Sequence, residues 1–145
     1  MDNFRIRRLK VEDAEEISRI YAAITRRPVE PDFKRVVEEH AKGGEKACFV
    51  AVHQRKVVGF MISYILTAGF GEAKSAWIAT VGVDPNFMGQ GIGASMAQKI
   101  FEIYRAEGIE RVYTTVRWDS TDLLSFFKTL GFDRSNFINL RKVID

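Results

Sequence analysis

At 145 residues, with 46% hydrophobic and 28% charged side chains, the chain has the length and balance of one globular domain with its own core, expected to span residues 1–145. A net charge of +3 is too small to argue for nucleic acid, one cysteine excludes an internal disulfide and suits a reducing compartment, and no apolar run approaches the ~18 residues of a membrane span. Met1-Asp2-Asn3-Phe4-Arg5 lacks the apolar region of a signal peptide, so the expected location is the cytoplasm, and no repeat or linker interrupts the chain.

Phe4–Leu9 alternates loosely with period two and predicts a strand. Glu12–Thr25 predicts a helix, because Ala14, Ile17, Ile20 or Tyr21, and Ile24 recur at helical spacing. Glu12, Asp13, Glu15 and Glu16 in its first turns complement the helix dipole; no histidine accompanies them, so no metal site is expected. Arg26-Arg27-Pro28-Val29-Glu30-Pro31 breaks this helix. A second helix is expected over Asp32–Lys42, with Phe33, Val36, Val37 and His40 on one side and Gly43-Gly44 at its end. Ala47–Val52 and Val57–Leu66 read as strands joined by the polar turn His53-Gln54-Arg55-Lys56. Cys48 lies within an apolar strand and belongs to the core; His40 and His53 lack the spacing of a metal or triad site. Thr67–Lys74 reads as a flexible connection into a strand over Ser75–Val83, where Gly82 marks a bulge or a close backbone approach.

Asp84-Pro85-Asn86-Phe87-Met88-Gly89-Gln90 then forms a loop, and Gly91-Ile92-Gly93-Ala94 opens a helix that Gly108 closes, with Ile92, Met96, Ile100, Ile103 and Tyr104 on its apolar side. A helix start leaves up to four backbone N–H groups without partners and carries a partial positive charge. Glycines there remove the β-carbons that would hold a ligand away, so the stretch predicts a seat for a phosphate or diphosphate. The run Gly89–Ala94 also fits the dinucleotide pattern G-x-G-x-x-G/A. Five residues, Pro85 among them, separate it from Val83, however, and only about fifty residues follow Ala94, too few for a doubly wound sheet. An ATP-type P-loop is excluded, because no Lys-Ser or Lys-Thr follows the last glycine. A glycine-rich turn without a ligand is the bland alternative, and it does not call for three glycines at alternate positions. Arg111–Arg117 alternates as a strand, Asp119 is placed to cap a helix with Asp122 at its third position, and Leu123, Leu124, Phe126, Phe127 and Leu130 follow on that helix up to Gly131. Phe137–Val143 reads as a last strand.

The strand, Val83-Asp84-Pro85-Asn86-Phe87 and Met88-Gly89-Gln90-Gly91-Ile92-Gly93 together resemble the GNAT superfamily of N-acetyltransferases, whose signature is V-x-P-x-x and then R/Q-x-x-G-x-G/A at a helix start. Met88 stands where the family has Arg or Gln. Phe127-Lys128-Thr129-Leu130-Gly131-Phe132 is similar to the family's C-terminal motif, so the resemblance spans nearly the whole chain. It implies an α/β (α+β) acyl-CoA N-acyltransferase fold: a mixed, mostly antiparallel sheet of six to seven strands, splayed between the fourth and fifth, with about four helices. It implies acetyl-CoA as co-substrate, with the diphosphate on Met88, Gly89, Gln90, Gly91, Ile92, Gly93 and Ala94. The pantetheine arm would lie in the splay against the backbone of Val81 and Val83, the close approach at Gly82 being part of this. Ser120, where the family often has Asn, and Phe127, where it often has Tyr, complete the expected cofactor set. Arg26, Arg27 and the nearby prolines either shape the acceptor pocket, as the resemblance implies, or are solvated loop charge.

The implied reaction moves acetyl from acetyl-CoA to a primary amine of a small molecule, peptide or protein by direct attack. An acceptor lysine of pKa ~10.4 spends about 4–5 kcal/mol to lose its proton at pH 7. Many relatives place a glutamate on the central strand as base, whereas Ala79-Thr80-Val81 has no carboxylate; Thr80 could relay through water, Glu72 lies on the preceding loop and Asp84 turns toward the diphosphate end. The Val81 backbone N–H is the candidate oxyanion donor. Phe127 cannot protonate the leaving thiolate, which at a pKa of about 8.5 leaves adequately without help. These two gaps keep open an acyl-CoA-binding module without catalysis. The expected partners are acetyl-CoA and an amine, with no nucleic acid or membrane, and a homodimer.

Overall fold

The computed structural model describes residues 4–26, 31–42, 47–69 and 72–144. The chain divides into two compact units, Met1–Tyr113 and Thr114–Asp145. The first unit is built on an antiparallel meander: β1 (Arg5–Arg8) pairs with β2 (Phe49–His53), β2 with β3 (Lys56–Gly69), and β3 with β4 (Glu72–Val83). A short strand, β5 (Val112–Thr114), lies parallel to β4 and ends the sheet in the order β1-β2-β3-β4-β5. Gln54 and Arg55 turn the β2–β3 hairpin with φ of 48° and 66°, the left-handed pair that matches strand twist.

Three helices cover this sheet: α1 (Ala14–Thr25), α2 (Pro31–Lys42) and α3 (Ile92–Ala106). Alternation along β3 decides which helix meets which face. A β-carbon on Gly59 would touch Ile92 and Met96 of α3, whereas the Phe60 ring, one residue on, lies with Ile24 of α1 against Gly82. The α1 and α2 side holds Ile17, Ile20, Val37, Val50, Phe60 and Ile62 in one buried cluster. On the α3 side, the face that Met61 shares with Gly59 by alternation, Met61, Ile92, Met96 and Ile100 are all buried. Asp13 ties β1 to the start of α1. Its buried carboxylate accepts two bonds from the Arg7 guanidinium at 2.8 and 2.9 Å and a third from the Lys10 N–H at 2.8 Å. Those carboxylate bonds, with the charge of Asp13 behind them, hold the Arg7 pKa above its ordinary value. Cys48 is buried as expected, its thiol donating to the Ser63 carbonyl at 3.3 Å. The Ser63 hydroxyl donates to the Ala47 carbonyl, so in its 2.8 Å contact with the Tyr104 hydroxyl the tyrosine is the donor.

In the second unit, α4 (Thr121–Thr129) ends in a Schellman motif. The Phe132 N–H bonds the Phe127 carbonyl, the Gly131 N–H bonds the Lys128 carbonyl, and Gly131 supplies the φ of 95°. Phe127 is buried, with Phe126 and Phe132 edge-on to it at 5.1 Å each.

Several expectations change. Thr67–Lys74 is mostly strand, since Leu66 faces Ser75 and Thr67 faces Lys74; backbone groups that can pair along a hairpin do so. The sheet has five strands among the described residues rather than six or seven. Arg111–Arg117 is strand only over Val112–Thr114, and Phe137–Val143 is not strand at all. Alternation marks both stretches, but a strand needs a regular ladder of bonds to a neighbour as well as the right side chains. Asp119 does not cap α4. Its carboxylate is held by Arg117 in two bonds of 3.0 Å, and Ser120 takes the N-cap position without a side-chain bond. Arg27, Pro28, Val29 and Glu30, and Gly43 and Gly44, lie outside the described residues; Arg26 ends α1 with φ of 57°.

Candidate functional site

The candidate site lies where β4 runs out and α3 begins, within the first unit. β4 carries a bulge: Ile62 faces Thr80 but Ser63 faces Ile78, so Ala79 is the extra residue. Sequence reading allowed for a bulge at Gly82; it falls three residues earlier. Gly82 is instead a close-approach position. A β-carbon there would lie 2.7 and 2.8 Å from the Phe60 ring and 2.9 Å from Ile24 Cδ1. What approaches the face of Gly82 is the protein's own core, the Phe60 ring and the end of Ile24.

The hydrogen-bond phase of β4 follows from one contact. The Asp84 N–H donates to the Val58 carbonyl at 2.8 Å, so 84 and 58 form a hydrogen-bonded pair. Such pairs alternate along an antiparallel ladder. Gly82 with Phe60 and Thr80 with Ile62 are then bonded pairs, and the intervening Val81 and Val83 direct both N–H and C=O away from β3. On that side β5 meets β4 near its beginning, where the Ala76 N–H donates to the Arg111 carbonyl at 3.2 Å. At about 3.3 Å per residue, three residues of parallel strand reach only to the level of Ile78. From Thr80 to Val83 the edge of β4 has no strand beside it among the described residues.

Beyond Val83 the chain turns on Asp84. Its buried carboxylate accepts the Asn86 N–H at 2.9 Å and its carbonyl accepts the Phe87 N–H at 2.8 Å, shaping the short 3-10 turn Pro85–Phe87. Asp84 thus builds the turn, for which Asp-Pro-Asn is the sequence signal. Gly89 and Gly91 adopt φ of 83° and 79°, and a β-carbon on either would meet nothing within 4 Å. Gly91 caps α3 without a side-chain bond, and the N–H groups from Gly89 to Ala94 have no backbone partner among the described residues. Met88, Gly89, Gln90 and Gly91 are exposed, while Gly93 and the Ile92 side chain are buried. Ile92 therefore offers its amide to the mouth and its side chain to the core. Gly59, which the sequence analysis did not single out, admits this anchoring, since Ile92 Cγ2 lies 3.1 Å from where its β-carbon would be.

Val81, Val83 and residues 88–94 are thus brought to one end of one unit, with half-exposed Thr80 beside them on β4. Ser120 and Phe127 belong to the second unit, at the N-cap of α4 and in its buried face. No His, Cys, Asp and Glu cluster able to hold a metal occurs among the described residues. Nor is any helix among them long and apolar enough to cross a membrane.

A family model described as the acetyltransferase (GNAT) family matches residues 14–132. The N-alpha-acetyltransferase RimI of Mycobacterium tuberculosis is 35% identical over 57 residues, which is 39% of this chain and 34% of that protein. The match thus spans about a third of that relative's length. An aminoglycoside acetyltransferase from an uncultured soil metagenomic sample, solved with sisomicin, has a TM-score of 0.80 at 22% identity, with 99% of this chain and 97% of that one covered. An aminoglycoside N-acetyltransferase solved with CoA has a TM-score of 0.78 at 15% identity, covering 97% and 94%. The mixed sheet and four helices described above are the fold these structures share.

Proposed function

Because the chain belongs to the acetyltransferase (GNAT) family, we propose that it transfers acetyl from acetyl-CoA to a primary amine, working in the cytoplasm as one domain over residues 1–145. The observation that carries this reading is the β4 edge: Val81 and Val83 turn backbone groups outward, with no strand beside them among the described residues, next to a helix mouth where a β-carbon on Gly89 or Gly91 would meet nothing within 4 Å. The mouth fits a diphosphate, because its amides have no backbone partner among the described residues and glycines stand at 89, 91 and 93. Gly89, Gln90, Gly91, Ile92, Gly93 and Ala94 hold the diphosphate through backbone N–H groups, with Met88 at the rim. Val83 and Val81 pair with the amides of the pantetheine arm as an added strand would.

The arm delivers the thioester to the level of Ala79–Val81, where the bulge leaves backbone groups outside the ladder. The amine attacks the carbonyl carbon, the Val81 N–H stabilises the oxygen that gains charge, and the carbon–sulfur bond breaks as the thiolate leaves. The amine proton passes to water held by Thr80, since Thr80–Val83 carries no carboxylate. Ser120 and Phe127 belong to the same proposed cofactor set. The acceptor is a small molecule, a peptide or a protein.

That missing carboxylate, with phenylalanine rather than tyrosine at 127, favours a second reading: an acyl-CoA-binding module without turnover. The two separate by following free thiol release from acetyl-CoA with and without an amine panel, alongside calorimetry with CoA. Amine-dependent release supports transfer, binding without release supports the module, and absence of CoA binding refutes both.

A further inference from the structure

Beyond the bulge, one side of the sheet carries three aromatic rings on neighbouring strands. The Ser63 hydroxyl meets the Tyr104 hydroxyl of α3 at 2.8 Å, so Ser63 and the Ile78 it faces lie on the α3 side. The next facing pair, Tyr64 and Trp77, therefore lies on the α1 and α2 side. Tyr113 of β5 stacks on Trp77 with ring centroids 5.0 Å apart, which places it on that side too. Each of β3, β4 and β5 thus contributes one ring, and all three residues are partly exposed. The Trp77 indole N–H donates to the Ser75 hydroxyl at 3.0 Å, so what this ring has to offer is its π face.

The row runs on to the level of the proposed transfer. Ile62 belongs to the core cluster on the α1 and α2 side and faces Thr80, so Thr80 shares a side with Trp77. Three residues of strand separate Thr80 from Trp77, no more than about 10 Å. Past Thr80 stands Ile24 of α1, 38% exposed, its Cδ1 next to the place a Gly82 β-carbon would take. Residues 60–66 and 75–83 contain no charged side chain, so both strands are neutral along this whole stretch.

We propose that Tyr64, Trp77 and Tyr113 set the acceptor class: a small amine carried on an aromatic ring, its ring on this row and its nitrogen at the level of Thr80. The inference rests on the acetyl-transfer reading and names the substrate class of that same site. A flat ring packs offset or edge-on against the row, and the ammonium form of the amine is drawn to a ring face by the ring's quadrupole. A short carbon arm between ring and nitrogen lets the ring rest near Trp77 while the nitrogen reaches Thr80 and the thioester beside Val81. A polycation fares worse. Taking several ammonium groups out of water requires carboxylates to pair with them, and residues 60–66 and 75–83 supply none. The expected acceptor therefore differs from the aminoglycosides of the two acetyltransferases that share the fold.

The test uses the full chain with phenethylamine, propylamine and sisomicin. Thiol release from acetyl-CoA reads transfer, and calorimetry reads amine binding in the presence of CoA and CoA binding alone. Phenethylamine should exceed both other amines in kcat/KM by about 10-fold or more. Trp77→Val should collapse that preference by roughly 10- to 30-fold, chiefly through KM, with CoA affinity unchanged, and Trp77→Phe should keep most of it. A merely structural role for Trp77 would weaken all three amines and CoA alike. Tyr64→Val is the second variant, expected to act in the same direction, and it decides the matter if Trp77→Val does not fold. Preference for sisomicin, equal use of phenethylamine and propylamine, or no binding of phenethylamine would each overturn the proposal. Phenethylamine binding that Trp77→Val weakens, without thiol release, upholds the aromatic row and refutes transfer. Release with no preference for a ring does the reverse.

Discussion

Gly91→Glu tests the mouth of α3 most directly. Gly91 is exposed, has a φ of 79°, and a β-carbon there meets nothing within 4 Å, so the substitution adds two separable effects. The left-handed backbone costs any side chain about 1–2 kcal/mol. At about 2.1 cal/mol/K per residue, 145 residues gain ~0.3 kcal/mol/K of entropy on unfolding, so the melting temperature falls by about 3–6 °C. Gly91→Ala has this strain and no charge, which makes it the reference. The carboxylate adds repulsion. At ~5 Å from a diphosphate of about two charges, with an effective dielectric between 80 and 20, it amounts to about 2–7 kcal/mol, or from roughly 30-fold to more than 10,000-fold in Kd. Calorimetry with CoA on the three proteins at low and high salt reads it, and the penalty should shrink as salt screens the charges. A Kd for Gly91→Glu within about threefold of Gly91→Ala at low salt means that no diphosphate sits at this helix start.

Three further outcomes follow from contacts elsewhere. Gly82→Ala forces its β-carbon into the buried Phe60 ring and should destabilise by about 1–3 kcal/mol, lowering the melting temperature by about 3–10 °C in calorimetric scans. An unchanged melting temperature would contradict the core-packing role. Ser63→Ala removes two bonds, to the Ala47 carbonyl and with the Tyr104 hydroxyl, so it should cost more in urea unfolding, about 2–3 kcal/mol, than Tyr104→Phe, which removes one, at about 1 kcal/mol. The reverse order would mean that Ser63 does not hold both bonds. The Arg117 guanidinium bonds to the Asp119 carboxylate and lowers its pKa, so any stability from that pair is present above the unfolded-state pKa and is lost as pH falls through the lower folded one. An NMR titration should find the Asp119 midpoint below the ordinary carboxylate range and restored in Arg117→Ala; no difference between the two refutes the pairing in solution.

Local chemistry made much of the molecule legible. Gly108 and Gly131 close α3 and α4 with positive φ because only glycine takes that conformation freely, and both stood out in the sequence. The α1 and α2 periodicities placed Ile17, Ile20 and Val37 in the core. Reading failed where a feature depends on a neighbour rather than on the residues themselves. Arg111–Arg117 and Phe137–Val143 alternate well enough, but pairing is a property of two chains of atoms. Gly59 carries no local signal, since its purpose is set by Ile92, thirty-three positions away. Asp119 resembled a cap until the guanidinium two residues earlier took its carboxylate.

The bulge shows most clearly why the site could be located before its geometry could. The Ala76 N–H points toward β5, so on a regular strand Ile78, Thr80 and Gly82 would continue along that same edge. Ala79 inserts one residue and reverses the parity, which puts Val81 and Val83 on the open edge instead and turns Thr80 and Gly82 to bond with β3. The same shift carries the Gly82 α-carbon under the Phe60 ring, where a β-carbon has no room. A glycine at 82 and outward-facing amides at 81 and 83 are therefore two consequences of one extra residue. Nothing in Ser75–Val83 read alone distinguishes the two parities, because Thr80 and Val81 fit a pleated strand equally well on either face. The choice is made across the ladder, by Ser63 facing Ile78 while Ile62 faces Thr80.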